Sequence, residues 1–203
     1  MTISKEDRER ISTAIRAVEQ KTSGEIVCVL AKTSSDATAL PILIAATVAL
    51  ALPWLLVAFT ALTVQRMLGL QILTFVALAA TLCLPRVRVA LMPRAARRAV
   101  AHRAAMEQFH SRGIARTEDR CGILIFVSLA ERYARVVADD GIAARVPQSR
   151  WQATVDALTA HMRDGRVADG FIAAIDLCGN ELATHFPRKT DSRDELPNRI
   201  YLI

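Results

Sequence analysis

The sequence predicts an α/β fold in which helices cover both faces of a small sheet, with a two-helix apolar hairpin inserted into the chain. Three observations support this prediction. Short apolar runs of strand length, rich in β-branched residues, lie at residues 25–31, 122–129 and 133–138. Segments with apolar residues at helical spacing lie before and after them. Between the first two strands, an almost uncharged block extends from Pro41 to Pro85.

Composition indicates how the apolar residues are distributed. The 203 residues are 52% hydrophobic, yet 23% are charged, so the apolar excess must be concentrated in one block. The length fits one domain of ordinary size, or one small domain with a membrane element, and leaves no room for two large domains. The 4 cysteines are scattered without a CxxC pair, so neither a zinc cluster nor a disulfide framework is indicated.

The first helix and the first strand occupy residues 1–36. Ser4 followed by Asp7 has the pattern of an N-cap with an acidic residue at the third helical position. Apolar side chains then recur at helical spacing, at Ile11, Ile15 and Val18. We expect this helix to end before Gly24 and the strand at residues 25–31 to be buried.

The apolar block predicts a transmembrane helical hairpin within residues 40–86. No charged residue lies between Pro41 and Gln65 or between Met67 and Pro85. A helix of about 20 apolar residues crosses about 30 Å of hydrocarbon, so two spans fit. The residues before the block lack the apolar segment of a signal peptide. The alternative is a helical hairpin buried in a soluble core, but a domain this small has little material to cover it on all sides.

Arginines after the second span predict its orientation. The turn between the spans holds only Arg66. The segment after the second span holds the predicted membrane-surface residues Arg86, Arg88, Arg94, Arg97, Arg98 and Arg103. Basic residues are retained on the cytoplasmic side, so both termini are expected there. The Ala- and Arg-rich composition suits a bacterial inner membrane.

Nucleic-acid binding is an alternative role for the same basic residues, because the sequence pI is about 9.6 and clustered basic charge attracts phosphates. Their position next to a span already explains them, and attraction to anionic lipid headgroups is the simpler inference. We therefore expect the lipid bilayer, and no nucleic acid, as the partner of this segment.

The remainder of the domain is predicted at residues 93–187. A helix is expected from Pro93 to Arg112, followed by two strands joined in a tight antiparallel connection. A further helix begins near Pro147 and ends at Gly165. Its apolar face, at Trp151, Val155, Leu158 and Met162, indicates core packing rather than a ligand-stacking role for the tryptophan.

A last helix is expected to about His185, with an apolar face at Phe171, Ile175, Cys178 and Leu182. Residues 188–203 are polar at first and are predicted to form a C-terminal tail. Its last apolar residues, from Ile200 to Ile203, with Leu196, are candidates to dock on the domain.

Three segments carry a combined pattern of strands and glycines: Ser23-Gly24-Glu25-Ile26-Val27, Gly122-Ile123-Leu124-Ile125-Phe126-Val127-Ser128 and Arg135-Val136-Val137-Ala138-Asp139-Asp140-Gly141-Ile142, with Gly165 and Gly170-Phe171 downstream. In this combination the chain resembles a TPM domain. This resemblance implies an α/β/α sandwich, and it associates the chain with phosphatase activity and calcium binding through acidic residues before the second strand. The chain departs from the family there, because Arg120 and Cys121 stand where an acidic residue and Asn are common.

An acidic cluster is the candidate metal site. Asp139 and Asp140 follow the third strand, beside a glycine, and carboxylates so placed supply oxygen ligands to a hard cation. Glu118 and Asp119 precede the second strand and are expected at the same end of the sheet. The cofactor is unknown, with Ca²⁺ and Mg²⁺ as the candidates. The alternative is a solvated turn, in which Asp and Gly favour the local backbone.

Two main functions follow from these features. The leading hypothesis is a non-catalytic inner-membrane protein whose cytoplasmic TPM-like domain binds a membrane or cytoplasmic protein, in the assembly or maintenance of membrane complexes. The histidines are dispersed and no HExxH or GxSxG pattern occurs. The alternative is a membrane-tethered phosphatase that uses a divalent metal at Asp139, Asp140 and Asp119. A third, weaker hypothesis makes the arginine-rich segment a sensor of anionic lipid.

Overall fold

The computed structural model describes most of the chain. The described residues are 3–34, 39–60, 62–117, 119–189 and 194–203, without the side chains of residues 85 and 86. The chain divides into two compact units. The sheet unit comprises Met1–Ser34 and Arg98–Ile203, and the hairpin unit comprises Ser35–Arg97.

The described elements follow one another in the order α1 (Lys5–Glu19), β1 (Glu25–Ala31), α2 (Ala39–Phe59), α3 (Val64–Leu82), α4 (Pro85–Leu91), α5 (Arg94–Ser111), a 3-10 turn (Ile114–Arg116), β2 (Gly122–Ser128), β3 (Tyr133–Ala138), α6 (Asp140–Ala143), α7 (Gln148–Arg163), α8 (Val167–His185) and β4 (Ile200–Leu202).

The predicted start of α1 is confirmed. The backbone N–H of Asp7 donates to Oγ of Ser4 at 3.0 Å, which satisfies one of the free amides of the first turn. Such a cap contributes about 1 kcal/mol to helix stability. Ile11 and Ile15 are fully buried, as their spacing predicts.

The sheet has the strand order β3-β2-β1-β4. β1 and β2 are parallel, with Glu25 opposite Gly122 and Ala31 opposite Ser128. β2 and β3 are antiparallel, as predicted for their short connection. Every residue of β1 and β2 is buried, because helices cover both faces of these central strands. Strands that are buried on both faces have nearly continuous apolar sequences.

Side chains that alternate along the strands form two cores. One face, which includes Ile26 and Ile125, packs with buried residues of α1, α7 and α8. The opposite face, which includes Val29 and Phe126, packs with Phe109 of α5 and with the 3-10 turn. The predicted sheet with helices on both faces is confirmed.

The end of the chain forms a strand in place of a free tail. Residues of β4 pair in parallel with β1, with Cys28 opposite Ile200. The guanidinium of Arg112 lies 3.6 Å from the ring centroid of Tyr201 and that of Arg199 lies 4.8 Å from it. A three-residue strand is too short for its alternation to be read from sequence, and its partner is the distant open edge of β1.

The hairpin unit contains two helices that are long and apolar enough to cross a membrane. Ala39–Phe59 has a mean hydropathy of 2.5 and Val64–Leu82 one of 1.4 over their most apolar windows. The buried positions of α2 recur every four residues, at Pro41, Ala45 and Ala49. The sequence did not predict α4, which follows the second of these helices directly.

Candidate functional site

The predicted acidic cluster lies where β2 begins and β3 ends. Antiparallel pairing places Ile123 opposite Ala138, and the backbone N–H of Asp139 donates to the carbonyl of Gly122 at 3.0 Å. A Cβ on Gly141 would lie 2.6 Å from the carbonyl oxygen of Arg120. The two loops that carry the acidic residues are therefore in close contact, and only glycine fits between them.

Asp139 is the buried member of this cluster, with 5% of its surface exposed. Its Oδ1 accepts a hydrogen bond from the backbone N–H of Asp140 at 2.7 Å, which caps α6. Its Oδ2 is buried and has no hydrogen-bond partner among the described residues. A buried carboxylate oxygen without a donor is destabilising, so this oxygen has a free position for a donor or a cation.

Two other carboxylates of the cluster, those of Asp119 and Asp140, already face cations. Both oxygens of Asp119 lie near Nζ of Lys189, at 2.6 and 2.7 Å. The Asp140 side chain is 90% exposed and lies 3.6 Å from Nη1 of Arg120. Glu118 lies outside the described residues. Across the part of the chain that the structure describes, no group of three or more His, Cys, Asp and Glu side chains is placed to hold a metal ion.

A second buried carboxylate, which the sequence did not single out, lies at the opposite end of the sheet. Glu131 is 5% exposed. The hydroxyl of Ser128 donates to Oε2 of Glu131, and Oγ1 of Thr33 donates to its Oε1 at 3.1 Å. The hydroxyl of Ser34 in turn donates to that of Ser128 at 2.8 Å. We call these four residues the Glu131 network.

No local sequence signal marks the Glu131 network, because its members come from segments that are far apart in the chain. In the backbone, Arg132, the residue after Glu131, adopts a left-handed conformation with φ of 51°. The sequence showed only a polar break between two strands. The pairing of β1 with β2 brings the four side chains together.

Two further carboxylates are buried beside β1. Oε1 of Glu19 accepts a hydrogen bond from the backbone N–H of Ile26 at 3.1 Å, and burial raises the pKa of Glu19 to about 8. Burial also raises the pKa of Glu25, which accepts hydrogen bonds from the backbone N–H groups of Glu195 and Leu196. Glu25 therefore attaches the segment before β4 to the start of β1.

The predicted membrane-surface arginines differ in exposure. Arg94, Arg98 and Arg103 are exposed, Arg97 is half-buried, and Arg88 is buried. The side chain of Arg86 lies outside the described residues. Only part of this set is thus free to meet a lipid headgroup in the conformation described.

Nearly half of the chain matches a known protein family. Residues 84–181 match the family model of the TPM domain. The chain contains a TPM domain. The match covers β2, β3 and α7, and also the acidic residues at positions 118, 119, 139 and 140. β1 precedes the match and joins the TPM domain through its parallel pairing with β2.

A solved structure supports the TPM fold of the chain. The NMR structure of the BA42 protein from the psychrophilic bacterium Bizionia argentinensis has a TM-score of 0.64 to this chain, at 23% sequence identity. The comparison covers 100% of this chain and 97% of BA42. Similarity at this identity shows the fold alone. No curated protein sequence matches the chain.

Proposed function

We propose that this chain is an integral membrane protein in which the hairpin anchors a TPM domain that binds another protein. The observation that carries the proposal is the exposed apolar surface of α2 and α3. Trp54 is 81% exposed and Phe59 is 83% exposed, among many other apolar side chains of these helices. A continuous apolar surface of this size requires lipid or protein to cover it. The length of α2, at 1.5 Å per residue, is about 30 Å and suits a bilayer.

The proposed location is a bacterial inner membrane, with two spans and both termini in the cytoplasm. The support is the asymmetry of charge around the hairpin. Arg94, Arg98 and Arg103 follow the second apolar helix, whereas Arg66 stands alone near the turn between the helices.

Several nucleophile candidates of the domain are held in unreactive states, which favours binding over catalysis. Burial raises the pKa of the Cys121 thiol to about 11 and that of the Cys178 thiol to about 12, and it raises that of Cys28 well above its ordinary value. These thiols are therefore protonated at neutral pH.

Membrane insertion is tested by extraction and by labelling of introduced cysteines. In a Cys83→Ser background, Thr63→Cys lies just before α3, and Glu9→Cys lies on an exposed face of α1. We expect the protein to resist alkaline carbonate. We also expect an impermeant maleimide to label Thr63→Cys in intact spheroplasts, and Glu9→Cys only after lysis. Release by carbonate, or the reverse labelling pattern, contradicts the proposal.

Protein binding is tested by photo-crosslinking in native membranes. A photoreactive amino acid is placed at exposed positions of the TPM domain, and crosslinked species are identified by mass spectrometry. We expect a discrete adduct that depends on the position of the probe. The absence of any adduct from every exposed position, in a protein that remains in the membrane, contradicts the binding function.

A metal-dependent phosphatase is the second candidate function. It is favoured by the buried Oδ2 of Asp139, which lacks a partner among the described residues. Asp139 and Asp140 would supply oxygen ligands to Ca²⁺ or Mg²⁺, and Asp119 would join them by exchanging Lys189 for the cation.

This candidate is tested by titration of Ca²⁺ and Mg²⁺ into the detergent-purified protein. A cation that binds only the folded state stabilises it by about 2.7 kcal/mol at a hundredfold excess over Kd. A rise in Tm that the Asp139→Asn/Asp140→Asn variant loses and the control Asp156→Asn keeps would justify phosphatase assays. A flat response to both ions would exclude the metal-dependent phosphatase and leave protein binding.

A further inference from the structure

The outer edge of β3 has backbone groups that face away from the sheet. β3 is the last strand in the order β3-β2-β1-β4. The bond from the N–H of Asp139 to the carbonyl of Gly122 fixes which residues of β3 bond to β2. Because such pairs alternate in an antiparallel ladder, the N–H and C=O groups of Ala134 and Val136 point away from β2.

A groove follows this edge. Two adjoining clefts, with cavity volumes of about 410 and 600 Å³, share Arg132, Tyr133, Ala134 and Thr159 in their linings. Together they extend along β3 and beside α7. The side chains of Trp151, Val155 and Met162 form an apolar wall of the groove. We call this surface the β3-edge groove.

The charge of the β3-edge groove has a single sign. Among the residues that the structure describes, four exposed arginines line it, at Arg98, Arg132, Arg135 and Arg163, and no Asp or Glu does. Among the described residues, none of the four lies within ion-pair distance of a carboxylate. Their charge is therefore available to an anionic ligand.

The shape and the charge together select among ligands. A six-residue strand extends over about 20 Å, which exceeds the size of a single phosphate group. A second copy of β3 would bring Arg135 against like charges, which is a usual way for edge strands to avoid pairing with themselves. An extended segment with carboxylates satisfies both the backbone groups and the arginines.

We infer that β3 accepts an extended acidic segment of a partner protein as a fifth strand of the sheet. Backbone hydrogen bonds would form to Ala134 and Val136, as in other cases of strand addition. Carboxylates of the segment would face Arg132 and Arg135, and alternate apolar side chains would contact Trp151 and Val155. This inference specifies the partner for the proposed protein-binding function and rests on it.

The test uses the full chain in detergent and a defined probe. The probe is a short fluorescein-labelled peptide that alternates Glu with Val and Thr, and its binding is measured by fluorescence anisotropy. Two further copies of the peptide are N-methylated on alternate residues. One copy carries the methyl groups on the odd-numbered residues, and the other carries them on the even-numbered residues. We expect one methylated copy to lose binding and the other to retain it, because only alternate amides of an added strand face β3.

Charge-reversal variants test the groove itself. We expect Arg132→Glu/Arg135→Glu to weaken binding of the unmethylated peptide by at least about tenfold. The matched control Arg16→Glu/Lys21→Glu changes the net charge equally at two exposed positions, one in α1 and one in the turn after it, and should leave binding unchanged. An unchanged Tm in both variants shows that the fold is retained.

Several results would overturn the inference. These are no binding of the peptide, equal binding of both methylated copies, and equal loss in the control variant. Binding of phosphatidylglycerol vesicles that Arg132→Glu/Arg135→Glu abolishes, without peptide binding, would assign the groove to lipid headgroups. Crosslinks to a partner that persist in Arg132→Glu/Arg135→Glu would remove the groove from the interface and leave the protein-binding function intact.

Discussion

The backbone N–H of Ser34 donates to both carboxylate oxygens of Glu131, at 3.1 and 3.0 Å. Ser34 is the last residue of the first segment of the sheet unit, and Glu131 lies in the connection between β2 and β3. The contact therefore fastens the end of the segment that carries β1 to the neighbouring strand pair. It also gives a buried carboxylate the donors that it needs.

We predict that Glu131→Ala destabilises the sheet unit by about 2–3 kcal/mol, because the donors of Ser34, Thr33 and Ser128 lose their buried acceptor. Denaturant unfolding of the purified protein measures the change, and hydrogen exchange of the Ser34 amide should become faster. The control Glu107→Ala removes an exposed carboxylate of α5 and should cost little. Equal stability of the two variants would show that the Glu131 network does not stabilise the fold.

We predict that the free energy of unfolding depends on pH through Glu19. Its pKa is about 8 in the folded protein, because of burial, against an ordinary value of 4.5. Between these two pH values the folded chain binds more protons than the unfolded chain, so the free energy of unfolding falls as pH rises. We expect Glu19→Gln to remove a large part of this fall, since a neutral amide does not titrate. Denaturant unfolding at pH 5 and pH 8 measures the difference in the free energy of unfolding between the two pH values. An equal difference in the wild type and in Glu19→Gln would contradict the prediction.

The ring of Tyr201 is predicted to hold β4 against the sheet. Arg112 and Arg199 both contact it, and cation–π contacts contribute about 0.5–1 kcal/mol each at exposed sites. Tyr201→Ala should therefore speed hydrogen exchange of the Ile203 amide, which donates to the carbonyl of Leu30. Tyr201→Phe keeps the ring and is the control. Equal exchange in the two variants would show that the ring contacts do not fix β4.

Gly141 is predicted to be intolerant of any side chain. The Cβ of alanine would lie 2.6 Å from the carbonyl oxygen of Arg120, so the two acidic loops must separate. We expect Gly141→Ala to lower stability by about 1–3 kcal/mol, as overpacking does elsewhere. Gly69→Ala is the control, since no atom lies within 4 Å of its Cβ position. A Tm of Gly141→Ala that equals that of the control would disprove the close contact of the loops.

Strong local patterns predicted most of the elements. The bounds of β1 and β3 agree with the runs seen in sequence, and the two apolar helices, Ala39–Phe59 and Val64–Leu82, extend only one residue beyond the predicted hairpin at residues 40–86. Continuous apolar runs and helical spacing are properties of a single segment, so they can be recognised in the sequence without knowledge of the tertiary structure. The candidate metal site stays a prediction, because two of its carboxylates face cations and Glu118 lies outside the described residues.

The sequence by itself determined the strand and helix types, the apolar hairpin and the resemblance to a TPM domain. Only the tertiary structure decided the order of the strands, the docking of β4 and the groove beside β3. It also brought Glu131 to Ser34 and left Oδ2 of Asp139 without a donor among the described residues. The physical reason is that periodicity records which side of an element is buried, whereas hydrogen bonds between distant segments leave no local periodic signal.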